Sequence, residues 1–203
     1  MKLHNGLSPN GLRVSMFLYE KGISLPVDEV SIIQGDTRRA EFLAKNSIGQ
    51  VPVLELENSR FLTESVAICR YLEAKYPSPP LFGDTAEQQA FIEMWNRRME
   101  LWIMSIFASI GEHEIPFFQY RVEQNSTYAA SQRRLVIKRL EWLNDELADG
   151  RDYIVDSEFS IADITGAACL MLAQFIKLSI PKDLTHVRRW AANIMNRKSF
   201  QAC

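Results

Sequence analysis

The 203-residue chain lacks the short motifs that mark several large enzyme classes. It has no Walker A loop, no Gly-x-Gly-x-x-Gly turn, no His-Glu-x-x-His pair and no nucleophile elbow. These absences argue against hydrolase, kinase and dehydrogenase functions. Its three histidines, His4, His113 and His186, have no metal-ligand spacing, so we expect structural roles for them and no metal.

Cysteine is scarce and charge is balanced. Cys69, Cys169 and Cys203 are far apart and form no Cys-x-x-Cys pair, which favours a reducing compartment. Lys and Arg total 23 against 25 Asp and Glu, so charge indicates neither nucleic acid nor an anionic membrane as a partner. No apolar run approaches the roughly 18–20 residues that span a bilayer, and the first residues lack a signal-peptide core. We therefore expect a soluble, cytoplasmic protein.

The chain divides at a proline-rich segment. Three prolines within Pro77–Pro80 cannot continue a helix and make a semi-rigid connector. Before this segment, turn formers and apolar periodicity predict the order β-α-β-α-β-β-α, and after it only helical periodicity remains. We predict an α/β domain over residues 1–77, a linker over 78–86 and an all-helical domain over 87–203.

The boundaries of the elements follow from the same patterns. The predicted strands are Lys2–Asn5, Val27–Ile32, Val51–Leu56 and Arg60–Thr63. Helices are predicted after Gly11 as far as Gly22, over the polar segment Gly35–Lys45, from Ser65 to Tyr76, and over Glu87–Glu112, Ser131–Leu147, Ile161–Leu178 and Leu184–Ile194.

The segment Ser8–Gly11 lies between the first predicted strand and the first predicted helix. Unpaired N–H groups and the helix dipole favour an anion at such a place, and a hydroxyl there can donate to a thiolate. Ser8 or Asn10 can also be a simple N-cap, which is the commoner role of these residues. The motif alone leaves both roles open.

The segment Gly49–Pro52 starts a predicted strand with a proline. X–Pro bonds lose most of the preference for trans, so the sequence leaves both isomers of Val51–Pro52 open. A cis bond would turn the Val51 N–H and C=O away from the strand ladder. An extended peptide ligand could then pair with these groups as an added strand.

Glu64 and Ser65 stand at the start of a predicted helix. The hydroxyl of Ser65 and the free N–H groups suit a carboxylate, and Glu64 suits an ammonium group. Together they would hold the amino-acid end of a zwitterionic ligand. Serine at a helix start is common, so the pair by itself is a weak signal.

In order and residue type these segments resemble the cytosolic glutathione transferase family over nearly the whole chain. The strand–SPN–helix start, NSIGQVPVLEL and ESVAICRYL look like its thioredoxin-like glutathione-binding domain, and the helical half looks like its second domain. The segment Ser160–Asp163 resembles the family's N-capping box, in which Asp163 is structural. The resemblance implies a thioredoxin-like α/β N-terminal domain followed by an all-α C-terminal domain. The Ser-Pro-Asn motif is similar to that of bacterial-type members that use a serine.

The resemblance also implies roles for single residues near the thiol of glutathione. Ser8 would stabilise the thiolate, and Asn10 would be a second thiol contact. Val51, preceding Pro52, would pair with the cysteinyl backbone. Gln50 would contact the backbone or the glycyl end.

The two ends of glutathione would be held by other residues. Glu64 and Ser65 would bind the γ-glutamyl group. Ser47 and Gln50 stand where many members of the family have Pro and Lys. Many members also have a Lys or His shortly before the stretch that contains Phe42, where it meets the glycyl carboxylate. Arg38 or Arg39 is the substitute candidate for the glycyl carboxylate.

The implied activity is detoxifying transfer of glutathione, as a co-substrate, to a hydrophobic electrophile, or its reaction with an organic hydroperoxide. Serine at position 8 and the absence of Cys-x-x-Cys argue against chemistry by a protein cysteine. Trp102, Phe107 and Phe117 are candidates for the second-substrate pocket, although a helical core needs such residues as well.

A non-catalytic role is the alternative. The same fold serves as an interaction module in transcription-, translation- or stress-associated proteins. Ser8, Asn10, Glu64 and Ser65 all suit glutathione, which favours the enzyme. The resemblance further implies a homodimer.

Overall fold

The computed structural model describes residues 1–203, which form two compact units. The first comprises residues 1–81 and 198–203, and the second comprises 82–197. The strands are β1 (Lys2–Asn5), β2 (Val27–Glu29), β3 (Val53–Glu55) and β4 (Phe61–Leu62). The α-helices are α1 (Pro9–Glu20), α2 (Ala40–Leu43), α3 (Ser65–Lys75), α4 (Ala86–Arg98), α5 (Ser105–Glu114), α6 (Ser126–Glu146), α7 (Ile161–Phe175), α8 (Thr185–Met195) and α9 (Lys198–Gln201).

The first unit is a mixed sheet with the strand order β2-β1-β3-β4. β1 runs parallel to β2 and antiparallel to β3, and β4 is antiparallel to β3. Leu3 of β1 pairs with Leu54 of β3, and both are buried, while α1 packs against α3. The predicted thioredoxin-like N-terminal domain and helical C-terminal domain are confirmed.

Three strands are shorter than predicted, among them β4, which covers only Phe61–Leu62. β2 ends at Glu29 because the chain turns after Val30, where the Ser31 N–H bonds the carboxylate of Asp36. β3 begins at Val53 and not at Val51, since Pro52 has no N–H to donate to a ladder.

His4 has the structural surroundings expected of it. Its ring is buried, with Nδ1 2.7 Å from Asp28 Oδ2 and Nε2 3.2 Å from Glu55 Oε2. The hydrogen bond with His4 holds the pKa of Asp28 below its usual value. His4 therefore ties β1 to side chains on both neighbouring strands.

The unit boundary falls between Leu81 and Phe82, within the segment predicted as a linker. The end of the chain differs from the prediction, because residues 198–203 belong to the first unit and not to the helical domain. α9 packs on α1, and the buried Ser199 donates to Glu20 Oε1 at 2.5 Å. These few contacts lie beyond the last periodic helix pattern, so the sequence carried no signal for them.

The second unit contains helices only. The helix predicted over Glu87–Glu112 is α4 and α5 joined by a π-helical segment, Met99–Met104. α7 is buried along most of its length, as its apolar composition predicts. None of the helices has the length and apolarity needed to cross a bilayer.

The capping box predicted at the start of α7 is present. Ser160 accepts from the Ala162 N–H at 3.3 Å, and Asp163 Oδ2 accepts from the Ser160 N–H at 3.1 Å. Asp163 Oδ1 also accepts from Ile154 N and Trp190 Nε1. Asp163 thus joins the helix start to a preceding loop and to α8.

Candidate functional site

One cleft in the first unit brings together most of the residues that the sequence singled out. Its lining comes from the start of α1, the turn before β3 and the start of α3. The lining residues are Asn10, Asn46, Gln50, Val51, Pro52, Glu64 and Ser65.

Ser8 is the N-cap of α1 and is not among the residues that line this cleft. Its Oγ accepts from the Gly11 N–H at 2.9 Å and donates to Gly6 O at 3.3 Å. A Cβ at position 11 would lie 2.4 Å from Gly6 O, so the tight turn requires glycine there. The capping role expected as the alternative is therefore present. The hydroxyl hydrogen is held only by the longer contact to Gly6, and a nearby thiolate could compete for it.

Asn10 lines the cleft, and its amide oxygen is occupied on the protein side. Oδ1 lies 3.0 Å from Arg13 Nη1 and 3.3 Å from Ser65 Oγ. The amide N–H groups of Asn10 are therefore the atoms that this side chain can offer to a ligand.

Arg13 is a residue that sequence reasoning missed. It is 1% exposed, and Nη1 also lies 2.5 Å from Ser65 Oγ. The available signal was a cation within the buried run Leu12–Leu18, three positions after Asn10 and thus on the same helix face. Its contact with Ser65, which is 52 positions away, had no local signal.

Asn46 shapes the turn before β3 and was also missed. Its Nδ2 donates to Gln50 O at 2.7 Å, and its Oδ1 accepts from Ile48 N at 3.2 Å. Gly49 has a φ of 68°, and a Cβ there would lie 2.7 Å from Thr37 O, so glycine is required. The Val51–Pro52 bond is cis. Val51 lies outside the ladder, which leaves its N–H and C=O for an added strand.

The structure distinguishes the two arginine candidates for a glycyl carboxylate. Arg38 lies beside the turn, with Nη1 3.2 Å from Ile48 O. Arg39 Nη2 instead pairs with Asp36 Oδ1 at 2.9 Å. Arg38 is therefore the one placed next to Gly49 and Gln50.

The start of α3 suits an anion beside a cation-binding carboxylate. Glu64 is exposed and has a φ of 65°, a conformation rare for residues other than glycine and often found at functional sites. Its side chain makes no capping hydrogen bond, and the first main-chain bond of the helix is from Ile68 N to Glu64 O. The first N–H groups of α3 are therefore open to a carboxylate, helped by the helix dipole.

The three pocket candidates lie in different surroundings within the second unit. Phe107 is 2% exposed and belongs to the core. Trp102 is 44% exposed and packs on Trp142, with ring centroids 5.5 Å apart. Phe117 is 37% exposed and meets Phe118 edge to face. Trp102 and Phe117 thus keep exposed ring surface, and Phe107 does not.

The cysteines are not placed for catalysis in this cleft. Burial raises the pKa of the Cys69 thiol to about 12, so it is protonated at neutral pH. Cys169 is also buried, and Cys203 is an exposed residue at the chain end. The structure brings together no group of three or more His, Cys, Asp or Glu side chains that could hold a metal ion.

Family models match both halves of the chain. Residues 4–80 match the model described as glutathione S-transferase, N-terminal domain. Residues 94–198 match the model described as glutathione S-transferase, C-terminal domain. The first match contains every cleft residue described above.

Individual relatives agree with these matches. Glutathione S-transferase 2 of Saccharomyces cerevisiae is 32% identical over 197 residues, or 95% of this chain and 84% of that protein. The crystal structure of Gtt2 from Saccharomyces cerevisiae has a TM-score of 0.91 at 31% identity and covers 100% of this chain and 99% of that one. Elongation factor 1-gamma 2 of Oryza sativa subsp. japonica is 30% identical over 167 residues, which is 79% of this chain but 38% of that protein.

Proposed function

The chain belongs to the glutathione S-transferase family, and we propose that it is an active glutathione transferase. It binds glutathione in the cleft of the first unit and lowers the pKa of the glutathione thiol. The thiolate then attacks an electrophilic carbon of a hydrophobic acceptor, and the leaving group departs with its electron pair. An organic hydroperoxide is a second acceptor class: the thiolate attacks the terminal oxygen, the O–O bond breaks and the alcohol leaves. A second glutathione then attacks the resulting sulfenic acid, which gives glutathione disulfide and water.

The observation that supports this proposal is the composition of the cleft. Val51 has main-chain groups free to pair with a peptide. The start of α3 and Glu64 suit the carboxylate and ammonium groups of an amino-acid head. Asn10 and the nearby Ser8 supply donors for a thiolate. A γ-glutamyl-cysteinyl peptide has these three features.

These residues can supply the free energy that thiol activation needs. A free thiol has a pKa of about 8.5, and each unit of lowering needs about 1.4 kcal/mol of preference for the anion. A hydrogen bond to a charged group together with a helix N-terminus supplies roughly 2–3 kcal/mol. This corresponds to a lowering of about one to two units, without a protein base.

We predict that Ser8→Ala raises the pKa of bound glutathione by about one unit and lowers the transfer rate below neutral pH about tenfold. Glutathione affinity should change less, because the hydroxyl acts on the thiolate. Thiolate ultraviolet absorbance against pH measures the pKa, and Ser8→Thr, which keeps a hydroxyl, is the matched control. An unchanged pKa in Ser8→Ala but a raised one in Asn10→Ala would assign activation to Asn10. A wild-type pKa that is not lowered would contradict the proposed function.

We predict that Arg38→Ala weakens glutathione binding about tenfold, the effect of one lost charge-assisted hydrogen bond. Arg39→Ala is the matched control, since Arg39 is paired with Asp36. Calorimetric titration measures both affinities. γ-Glutamylcysteine has no glycyl carboxylate, so it should bind equally to the wild type and to Arg38→Ala. If Arg38→Ala weakens the binding of both ligands equally, Arg38 does not bind the glycyl carboxylate.

Several finer expectations stay predictions. The serine-type assignment is tested by the Ser8 variants, and peroxidase activity by assay with an organic hydroperoxide. Sedimentation at micromolar concentration tests the homodimer, and fractionation of cells tests the cytoplasmic location. If glutathione does not bind, a non-catalytic interaction role becomes the better explanation.

A further inference from the structure

We propose that Arg13 is a positioning residue that couples the thiol end of the glutathione site to its γ-glutamyl end. The inference rests on the proposed function, because it concerns how that site works. Arg13 lines no part of the cleft, but it contacts two residues that do.

The coupling is carried by a closed set of three contacts. Arg13 Nη1 lies 2.5 Å from Ser65 Oγ and 3.0 Å from Asn10 Oδ1, and Ser65 Oγ lies 3.3 Å from Asn10 Oδ1. Arg13 is 1% exposed and Ser65 is 5% exposed. Water therefore competes little for the bond between Arg13 and Ser65, which is stronger in this buried setting than in solvent. The two bonds to Asn10 are part-buried.

The contacts determine which atoms Asn10 offers to a ligand. An asparagine amide has one acceptor oxygen and two N–H donors, whereas a guanidinium has donors only. Arg13 can therefore bond the amide oxygen but not the amide nitrogen. A flipped Asn10 would place its N–H groups against those of Arg13, so the guanidinium keeps the Asn10 donors for the ligand. A thiolate needs donors, which makes this the productive orientation.

The same contacts engage Ser65. Its Oγ accepts from Arg13 and donates to Asn10, so its hydroxyl is held within the network. Ser65 is also the first residue of α3, where the γ-glutamyl carboxylate is proposed to bind. A substitution of Ser65 should therefore alter the pKa of the thiol through Arg13 and Asn10, although Ser65 lies at the other end of the ligand.

The test is titration of the thiol of bound glutathione in the full chain, with affinity measured in parallel. Ser65→Ala and Arg13→Met should each raise the bound thiol pKa, Arg13→Met by about one unit. The double variant should raise it no further than Arg13→Met alone, because both changes break the same network. Arg13→Lys keeps the positive charge but lacks the planar guanidinium with its several donors. The thiol pKa should therefore rise less in Arg13→Lys than in Arg13→Met.

Asn10→Asp is a second test, which can be used if Arg13→Met does not fold. It keeps an oxygen for Arg13 and Ser65 but replaces the N–H donors by a second oxygen. The pKa of the bound thiol should then reach or exceed its free value. A lowered pKa retained in Asn10→Asp would overturn the proposal.

The remaining outcomes separate the two proposals. If Arg13 and Ser65 variants change only melting temperature and affinity while the bound thiol pKa stays lowered, Arg13 is structural and the inference is overturned. Additive effects of Arg13→Met and Ser65→Ala on the pKa would also overturn it. A wild type that binds glutathione without lowering its pKa would overturn the proposed function, and this inference with it.

Discussion

Replacing Asp163 by alanine should lower the free energy of unfolding by about 3–5 kcal/mol, the largest effect we expect of a single substitution in this chain. The carboxylate is fully buried and accepts from Trp190 Nε1 at 2.9 Å, Ile154 N at 2.8 Å and Ser160 N at 3.1 Å. Alanine would leave these donors buried without partners, and each costs roughly 1–3 kcal/mol. It would also remove half of the capping box of α7.

The contribution of Asp163 to the free energy of unfolding should depend on pH. Burial raises the pKa of Asp163 to about 6, and the hydrogen bonds from Trp190, Ile154 and Ser160 oppose this rise. The folded chain therefore holds the proton more tightly than the unfolded chain does. The resulting stabilisation is fully present below about pH 4 and is lost as the pH rises through about 6.

Urea unfolding at pH values between about 4 and 7 measures both effects. Asp163→Asn is the matched control, because it keeps the size and one acceptor oxygen but cannot titrate. The stability of the wild type relative to Asp163→Asn should fall as the pH rises across this range. A difference that is constant with pH would show that folding does not raise the pKa of Asp163.

Replacing Lys21 by methionine should lower the free energy of unfolding by about 3 kcal/mol. The ammonium group is fully buried and lies 2.5 Å from Glu73 Oε2. It also donates to the carbonyl of Tyr76 at 2.8 Å and to those of Pro77 and Pro79. Methionine would fill the space but remove the cation beside the Glu73 carboxylate, which is 15% exposed, and leave these carbonyls without this donor.

Lys75→Met is the matched control for Lys21→Met. Lys75 also pairs with a glutamate, Glu57 at 2.7 Å, but its side chain is 33% exposed and that of Glu57 is 69% exposed. Its loss should cost far less than the loss of Lys21, because solvent screens an exposed ion pair. Adding Glu73→Gln to Lys21→Met should restore part of the stability, because it removes the carboxylate charge that Lys21 neutralises. Equal effects of Lys21→Met and Lys75→Met would show that burial adds nothing at Lys21.

The Lys21 contacts also bear on the site. They join the carboxyl end of α1 to the end of α3, and these are the helices whose first turns carry Asn10 and Ser65. We therefore expect Lys21→Met to weaken glutathione binding as well as folding, whereas Lys75→Met should leave affinity unchanged.

The features that were read correctly from the sequence depend on residues close together in the chain. β1 over Lys2–Asn5, the cap at Ser8 and the capping box at Ser160 each involve neighbours within a few positions. The apolar composition of Ile161–Leu178 likewise placed α7, which is buried along most of its length. Local order of this kind placed Asn10, Glu64 and Ser65 at helix starts and Gln50, Val51 and Pro52 in one turn.

Tertiary structure decided how those residues act. Whether Val51–Pro52 is cis, and whether Arg38 or Arg39 lies by the turn, depended on packing that local propensity does not encode. The hydrogen bond from Arg13 to Ser65 joins residues 52 positions apart, so no short sequence pattern predicts it. The sequence alone determined the elements and the residue types at their ends, because capping and periodicity are local. Only the folded structure places the buried guanidinium of Arg13 between the starts of α1 and α3. Contacts of a buried side chain depend on distance in space and not on distance along the chain.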